Sequence, residues 1–265
     1  MIENFFGNRA VVRALERMIE AERLPQTLLF YGPEGIGKAT LVRRLAAELV
    51  GEPARIEQDD LSLPHNVELL GEREKLSSED RASDPLMLAT HPDFLTFPPE
   101  GPLRQISIQQ MRRLKEQAQL RPLKGARRVF LVDQVDRANE QAANSLLKTL
   151  EEPPEHLVLA LTAANLYDLL PTIRSRAVQF YLAPLTLEEM REFARRRGLA
   201  DAERRIRLAH GSPGLAVSLD LEAYDRQREA MLALLEAAAG QARFSAWAPH
   251  AERLQAARRD RKSVV

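Results

Sequence analysis

The sequence predicts an α/β fold: a mainly parallel sheet carrying a phosphate-binding loop, followed by a small helical unit. Three stretches carry this prediction. LLFYGPEGIGKAT, residues 28–40, runs an apolar strand pattern into a glycine-spaced loop and straight on into a helical pattern. VFLVDQVD, residues 129–136, is a continuous apolar run ending in a carboxylate, as expected of a parallel strand buried on both faces. After Pro184 the strand patterns stop and helical periodicity takes over.

Taken in order, residues 8–23 place Val11, Val12, Leu15, Met18 and Ile19 at helical spacing, and Pro25 closes that helix. Residues 27–31 form the first strand. In the helix after the loop, Leu41, Leu45 and Leu49 share one face, and Gly51 and Pro53 stop it. Residues 52–90 are rich in charge and serine with little periodicity, and read as an insertion that is partly disordered or loosely helical. Phe94, Leu95 and Phe97 form a short strand ended by two prolines, and Ile106 and Ile108 form another short extended piece. A helix over 109–119 leads to a basic turn, 121–128, and then to the strand at 129–136. A helix over 139–150 stops at EEPPE, and 157–161 forms one more buried strand. Beyond it, helices are expected at 188–197, 202–209, 215–219 and 224–239, broken by Gly198 and by the turn GSPG at 211–214, with a further helix in 243–265. This divides the chain into a nucleotide-binding-type domain (1–183), a helical lid (184–225) and a short C-terminal helical segment (226–265).

Lysine and arginine number 38 and aspartate and glutamate also 38, so no global field drives the protein onto nucleic acid or anionic lipid. The chain has no cysteine, which excludes disulfides and thiolate metal sites and suits a reducing compartment. No run reaches membrane-spanning length and the N-terminus lacks a signal-peptide core, so a cytoplasmic protein with no membrane partner is expected.

The loop matches GxxxxGK[ST] at Gly32, Gly37 and Lys38, with Gly35 between them. Glycines let successive backbone N–H groups face phosphate oxygens at a helix N-terminus, and Lys38 adds a point charge for the β and γ phosphates. The hydroxyl position that ligands magnesium is Ala39. Thr40 lies one place late, which on a helix turns its side chain roughly 100° away. At the end of the apolar run Asp133 suits a metal contact through water, but its neighbour is Gln134, which cannot serve as a general base. Further on, PTIRSRAVQF sets Arg174 and Arg176 around Ser175 where the chain leaves the sheet domain. An arginine at such an edge can reach a neighbour's nucleotide. Taken alone, it is more often solvated or paired with a carboxylate.

These residues together resemble the bacterial clamp-loader subunits of the AAA+ class, in the DNA polymerase III system. The resemblance lies over about residues 1–219 and is carried by HPD at 91–93, NSLLKTLEEPP at 144–154 and LPTIRSRA at 170–177. It implies that Arg176, in a Ser-Arg motif with Ala177 in place of cysteine, serves as an arginine finger in trans to the ATP of an adjacent motor subunit. It also implies a sensor arginine where this chain has Gly214. With Ala39 and Gln134, that makes three departures in one ATPase site. One lost transition-state contact costs about 3 to 4 kcal/mol, so a stator-like subunit with little or no hydrolysis is expected. ATP held without hydrolysis at Gly32, Gly35, Gly37, Lys38, Ala39, Thr40 and Asp133 is compatible with this, and magnesium is left open. The zinc that relatives hold with four cysteines in the insertion is not expected. Implied partners are the motor and delta subunits of a hetero-oligomer, with DNA and the sliding clamp reached through the complex. Two other readings stand beside it: an autonomous AAA+ ATPase using Lys38, Thr40 and Asp133, and an interaction protein that uses neither site.

Overall fold

A computed structural model of the chain describes residue 2 and residues 5–239. Six strands, β1 (Thr27–Tyr31), β2 (Leu88–His91), β3 (Phe94–Phe97), β4 (Arg128–Val132), β5 (Leu157–Ala163) and β6 (Val178–Tyr181), make one sheet in the order β2-β3-β4-β5-β1-β6. Every neighbouring pair is parallel except β2 with β3. The central strands are apolar on both faces because helices cover both faces. Alternation then sorts the residues into two cores: Leu28, Phe30, Val129, Leu131, Val158 and Ala160 on one side, and Leu29, Phe130, Val132, Leu157, Leu159 and Leu161 on the other.

The helices in chain order are α1 (Arg9–Glu20), α2 (Lys38–Val50), α3 (Pro53–Ile56), α4 (Pro64–Lys75), α5 (Ser78–Ser83), α6 (Ile108–Ala118), α7 (Glu140–Glu151), α8 (Pro171–Arg174), α9 (Leu187–Arg197), α10 (Ala202–Ala209), α11 (Pro213–Ser218) and α12 (Leu221–Ala238). α1 and α2 contribute to the first core, and α6 and α7 to the second. Local signals fix several starts. Ser107 and Gln110 form a capping box on α6, and Thr186 and Glu189 form one on α9, each satisfying N–H groups that lack intrahelical partners. The helix expected at 243–265 lies outside the described residues, as does every residue beyond 239.

Four expectations are corrected. The insertion at 52–90 is ordered, carrying α3, α4, α5 and β2. It buries Ile56, Leu70 and Leu86, and charge pairs that the linear pattern conceals tie it down further. Arg73 donates through Nε and Nη2 to Glu100 Oε2 at 2.9 and 2.7 Å with both side chains buried, and buried Arg43 pairs with Glu57 at 3.2 Å and with Asp60. Ile106 makes only an isolated bridge to Ala138, and Ile108 already begins α6, because Ser107 caps the helix there. The run at 129–136 ends as strand at Val132: Gln134 takes φ 54° and residues 135–137 close a 3-10 turn. GSPG does not end before a helix at 215; Pro213 opens α11 while Ser212 caps it by accepting from the Leu215 N–H. β6 also had no clear strand pattern, since as an edge strand it buries only Phe180.

Candidate nucleotide-loop site and the arginine edge

The loop leaves β1 at its C-terminal end and enters α2 at Lys38, with Gly37 as N-cap in the left-handed region at φ 99°. The Lys38 ammonium turns back onto the loop itself, donating to the carbonyls of Gly32 at 2.7 Å and Pro33 at 2.8 Å. Burial lowers its pKa, opposed by the charges of Asp133, Asp136 and Glu34. Ala39 brings no oxygen, and the Thr40 hydroxyl accepts from Arg43 Nη2 at 3.4 Å, on the insertion side of the helix.

Asp133 follows β4 directly and is buried. Its Oδ1 accepts the Thr162 hydroxyl at 2.5 Å, and that same hydroxyl accepts the Gln134 N–H at 2.8 Å. Burial raises the Asp133 pKa, against the Thr162 hydrogen bond and the charge of Lys38. Asp136 does not stand in for it: its Oδ2 accepts the Ala164 N–H at 2.9 Å. Asp133 is the acidic side chain that follows β4 directly and acts most strongly on Lys38, ahead of Asp136 and Glu34, with one oxygen already engaged and no hydroxyl at Ala39 to complete a magnesium donor set. Thr162 was missed in the sequence. The available signal was a lone hydroxyl in the apolar run LVLALTA on the strand paired with β4.

The lid reaches the loop directly. The Gly214 N–H donates to the Gly35 carbonyl at 2.8 Å, and the Ser212 hydroxyl donates to the Glu34 carbonyl at 3.0 Å. A Cβ on Gly214 would meet the Gly35 carbonyl oxygen at 2.7 Å, and one on Gly35 would meet Ser212 Oγ at 2.5 Å, so both glycines are required for this approach. Position 214 is where the resemblance places a sensor arginine; here it is a backbone contact.

Arg176 sits elsewhere. It precedes β6 by two residues, and Leu28 pairs with Val178, so it lies at the end of the sheet where β1 begins, opposite the end from which the loop departs. Its side chain is 34% exposed and its Nη2 lies 2.7 Å from Glu151 Oε1. Arg174, by contrast, lies over the Tyr167 ring at 5.8 Å.

Of the remaining sequence motifs, Asp93 of HPD is buried and accepts the backbone N–H groups of Leu123 and Lys124 at 2.8 and 2.7 Å, so it shapes the basic turn. Within that turn Lys124 pairs with Glu52, and Arg128 is buried, donating to the Gln117 carbonyl and to the Pro92 carbonyl at 3.1 Å. Arg128 therefore does not join Arg121 and Arg127 as an outward charge. Among the described residues no helix is long and apolar enough to cross a membrane.

A mostly parallel sheet with a phosphate loop after β1, a carboxylate after β4 and a helical lid packed on the loop defines an AAA+ P-loop protein. The family described as DNA polymerase III, delta subunit matches residues 7–186, more than half of the chain, and the chain belongs to this clamp-loader family. It is 36% identical over 156 residues to DNA polymerase III subunit delta' of Pseudomonas aeruginosa, a match covering 57% of this chain and 41% of that one. It is 30% identical over 187 residues to DNA polymerase III subunit tau of Escherichia coli (strain K12), covering 70% of this chain and 26% of the relative. The chain thus spans less than half the length of these relatives. A structure of a RuvB point mutant from Thermotoga maritima superposes with a TM-score of 0.51 at 17% identity, covering 88% of this chain and 66% of that one, which supports the fold alone.

Proposed function

We propose that this chain acts as a delta-prime-type subunit of the DNA polymerase III clamp loader: a stator-like AAA+ protein that hydrolyses little or no ATP and supplies Arg176 to a neighbouring motor subunit. The observation that carries this reading is the position of Arg176. An exposed guanidinium at the end of the sheet opposite its own loop cannot serve that loop, whereas it is available to a nucleotide held by an adjacent subunit.

The loop supports the other half of the reading. It lacks the magnesium hydroxyl at Ala39 and the base at Gln134, its lysine is bonded to loop carbonyls, and the lid occupies Gly35. Phosphate entering this site competes with the Gly32 and Pro33 carbonyls for the Lys38 ammonium. The 36% identity to a delta' subunit agrees with the assignment. The motor and delta subunits are then the direct partners, with DNA and the sliding clamp reached through the assembled loader.

Two measurements test this. In the reconstituted loader, Arg176→Ala is expected to reduce turnover at the neighbouring site by roughly 10²- to 10³-fold, as for loss of one transition-state donor; DNA-stimulated ATPase equal to wild type would sink the finger assignment. The isolated chain is expected to show no turnover above background, and titration calorimetry with ATP, with and without magnesium, reads binding separately. Turnover that disappears in Lys38→Ala would make the chain an ATPase in its own right.

A further inference from the structure

We infer that Glu151 is the resting partner of the Arg176 guanidinium, a carboxylate that holds the finger at the subunit edge and releases it when a neighbour's nucleoside triphosphate takes its place. The inference deepens the finger reading above and depends on it. Glu151 lies in NSLLKTLEEPP, a segment that the resemblance picks out and that neither the loop chemistry nor the finger itself accounts for.

The guanidinium is held from two elements. Nη2 lies 2.7 Å from Glu151 Oε1 at the last residue of α7. Nη1 donates to the Thr172 carbonyl in α8 at 3.0 Å and to the Ser175 hydroxyl at 3.3 Å. Because β4 and β5 are parallel, α7 must run back along the sheet, which brings its C-terminus to the same end as Arg176.

Glu151 breaks a local rule in doing so. A carboxylate in the last turn of a helix faces the negative end of the macrodipole, and Glu152 follows directly as the C-cap. A cation arriving from another element removes that conflict, which gives the residue type a reason at this position.

The strength of the pair suits exchange. Glu151 is 49% exposed and Arg176 34%, so the pair is well solvated and worth little against water. A phosphoryl group offers the same planar fork more charge and more acceptor oxygens. With the phosphate absent, the carboxylate keeps the side chain extended along α8. Once the phosphate is present, the carboxylate is the weaker competitor, and its charge also repels the incoming triphosphate. Glu151 is on this account a positioning residue that acts through Arg176.

The test is a double-mutant cycle in the reconstituted loader, with Glu151→Gln, Arg176→Ala and both together, reading ATPase kcat/KM. Gln keeps an acceptor and removes the charge. Glu151→Gln is expected to raise kcat/KM by about two- to fivefold at low salt, the range an exposed ion pair spans. The gain should shrink at high salt as the pair is screened and vanish in the Arg176→Ala background. No change or a fall in Glu151→Gln, with Arg176→Ala still impaired, overturns the resting-partner role and leaves the finger standing. A gain that persists without Arg176 also overturns it. Wild-type ATPase in Arg176→Ala removes the finger, and this inference with it.

Discussion

Residue by residue, the loop end of the sheet is organised by a polar pair inside an apolar strand. Thr162 donates to Asp133 and accepts from the Gln134 N–H, so its hydroxyl ties the carboxylate to the turn that follows β4. Thr162→Val, similar in volume, leaves a buried carboxylate and a backbone N–H short of a partner. The expected loss is about 2 to 3 kcal/mol in urea unfolding, and a midpoint unchanged from wild type would show that water replaces the hydroxyl. Asp133 also gives a pH signature. Its folded pKa is raised by burial, so its ionised form costs stability once the pH has risen through that value, and the cost disappears as the pH falls back toward the ordinary carboxylate range. Asp133→Asn is therefore expected to be more stable than wild type at neutral pH, with Asp136 and Glu34 still facing Lys38. Thermal melts across acid pH should show the difference closing; a constant difference would contradict the raised value. Lys38 was legible in the sequence because its motif is contiguous. Thr162 was not, since its role depends on β5 lying beside β4.

Among the elements, the insertion between α2 and β3 shows how charge can order a segment that lacks hydrophobic periodicity. Arg73 on α4 reaches Glu100, whose second oxygen accepts the Leu86 N–H at 3.3 Å, so one ion pair joins α4, the segment before β2 and the turn after β3. Removing one partner strands a buried charge. Arg73→Ala is expected to cost about 3 to 5 kcal/mol, with amide exchange rising first across α4 and α5. A joint Arg73→Met, Glu100→Leu change should recover most of that loss, because a buried pair gains little over apolar side chains of similar size. Equal losses in the single and the joint variant would refute this account. The helices and central strands were readable because apolar spacing sets them locally. The insertion was misread because its partners are charged residues far apart in the chain.

At the scale of the whole molecule, the lid and the sheet domain meet through backbone at Gly35 and Gly214, with the Ser212 hydroxyl on the Glu34 carbonyl. Gly214→Ala places a methyl where the Gly35 carbonyl oxygen is 2.7 Å away. The expected cost is about 1 to 3 kcal/mol of overpacking, with faster proteolysis between β6 and α9 as the lid loosens. Cleavage at the wild-type rate would show that the contact does not hold the lid. The sequence by itself determined the α/β class, the phosphate-loop pattern, the absence of a hydroxyl at Ala39 and of a carboxylate at Gln134, and the arginine at 176, because each is written in contiguous residues and local periodicity. Only the tertiary structure decided that the lid rests on the loop, that Asp133 is tied to Thr162, and that Glu151 holds Arg176. Those contacts join segments distant in the chain, and strand order and helix direction bring them together where no local pattern can.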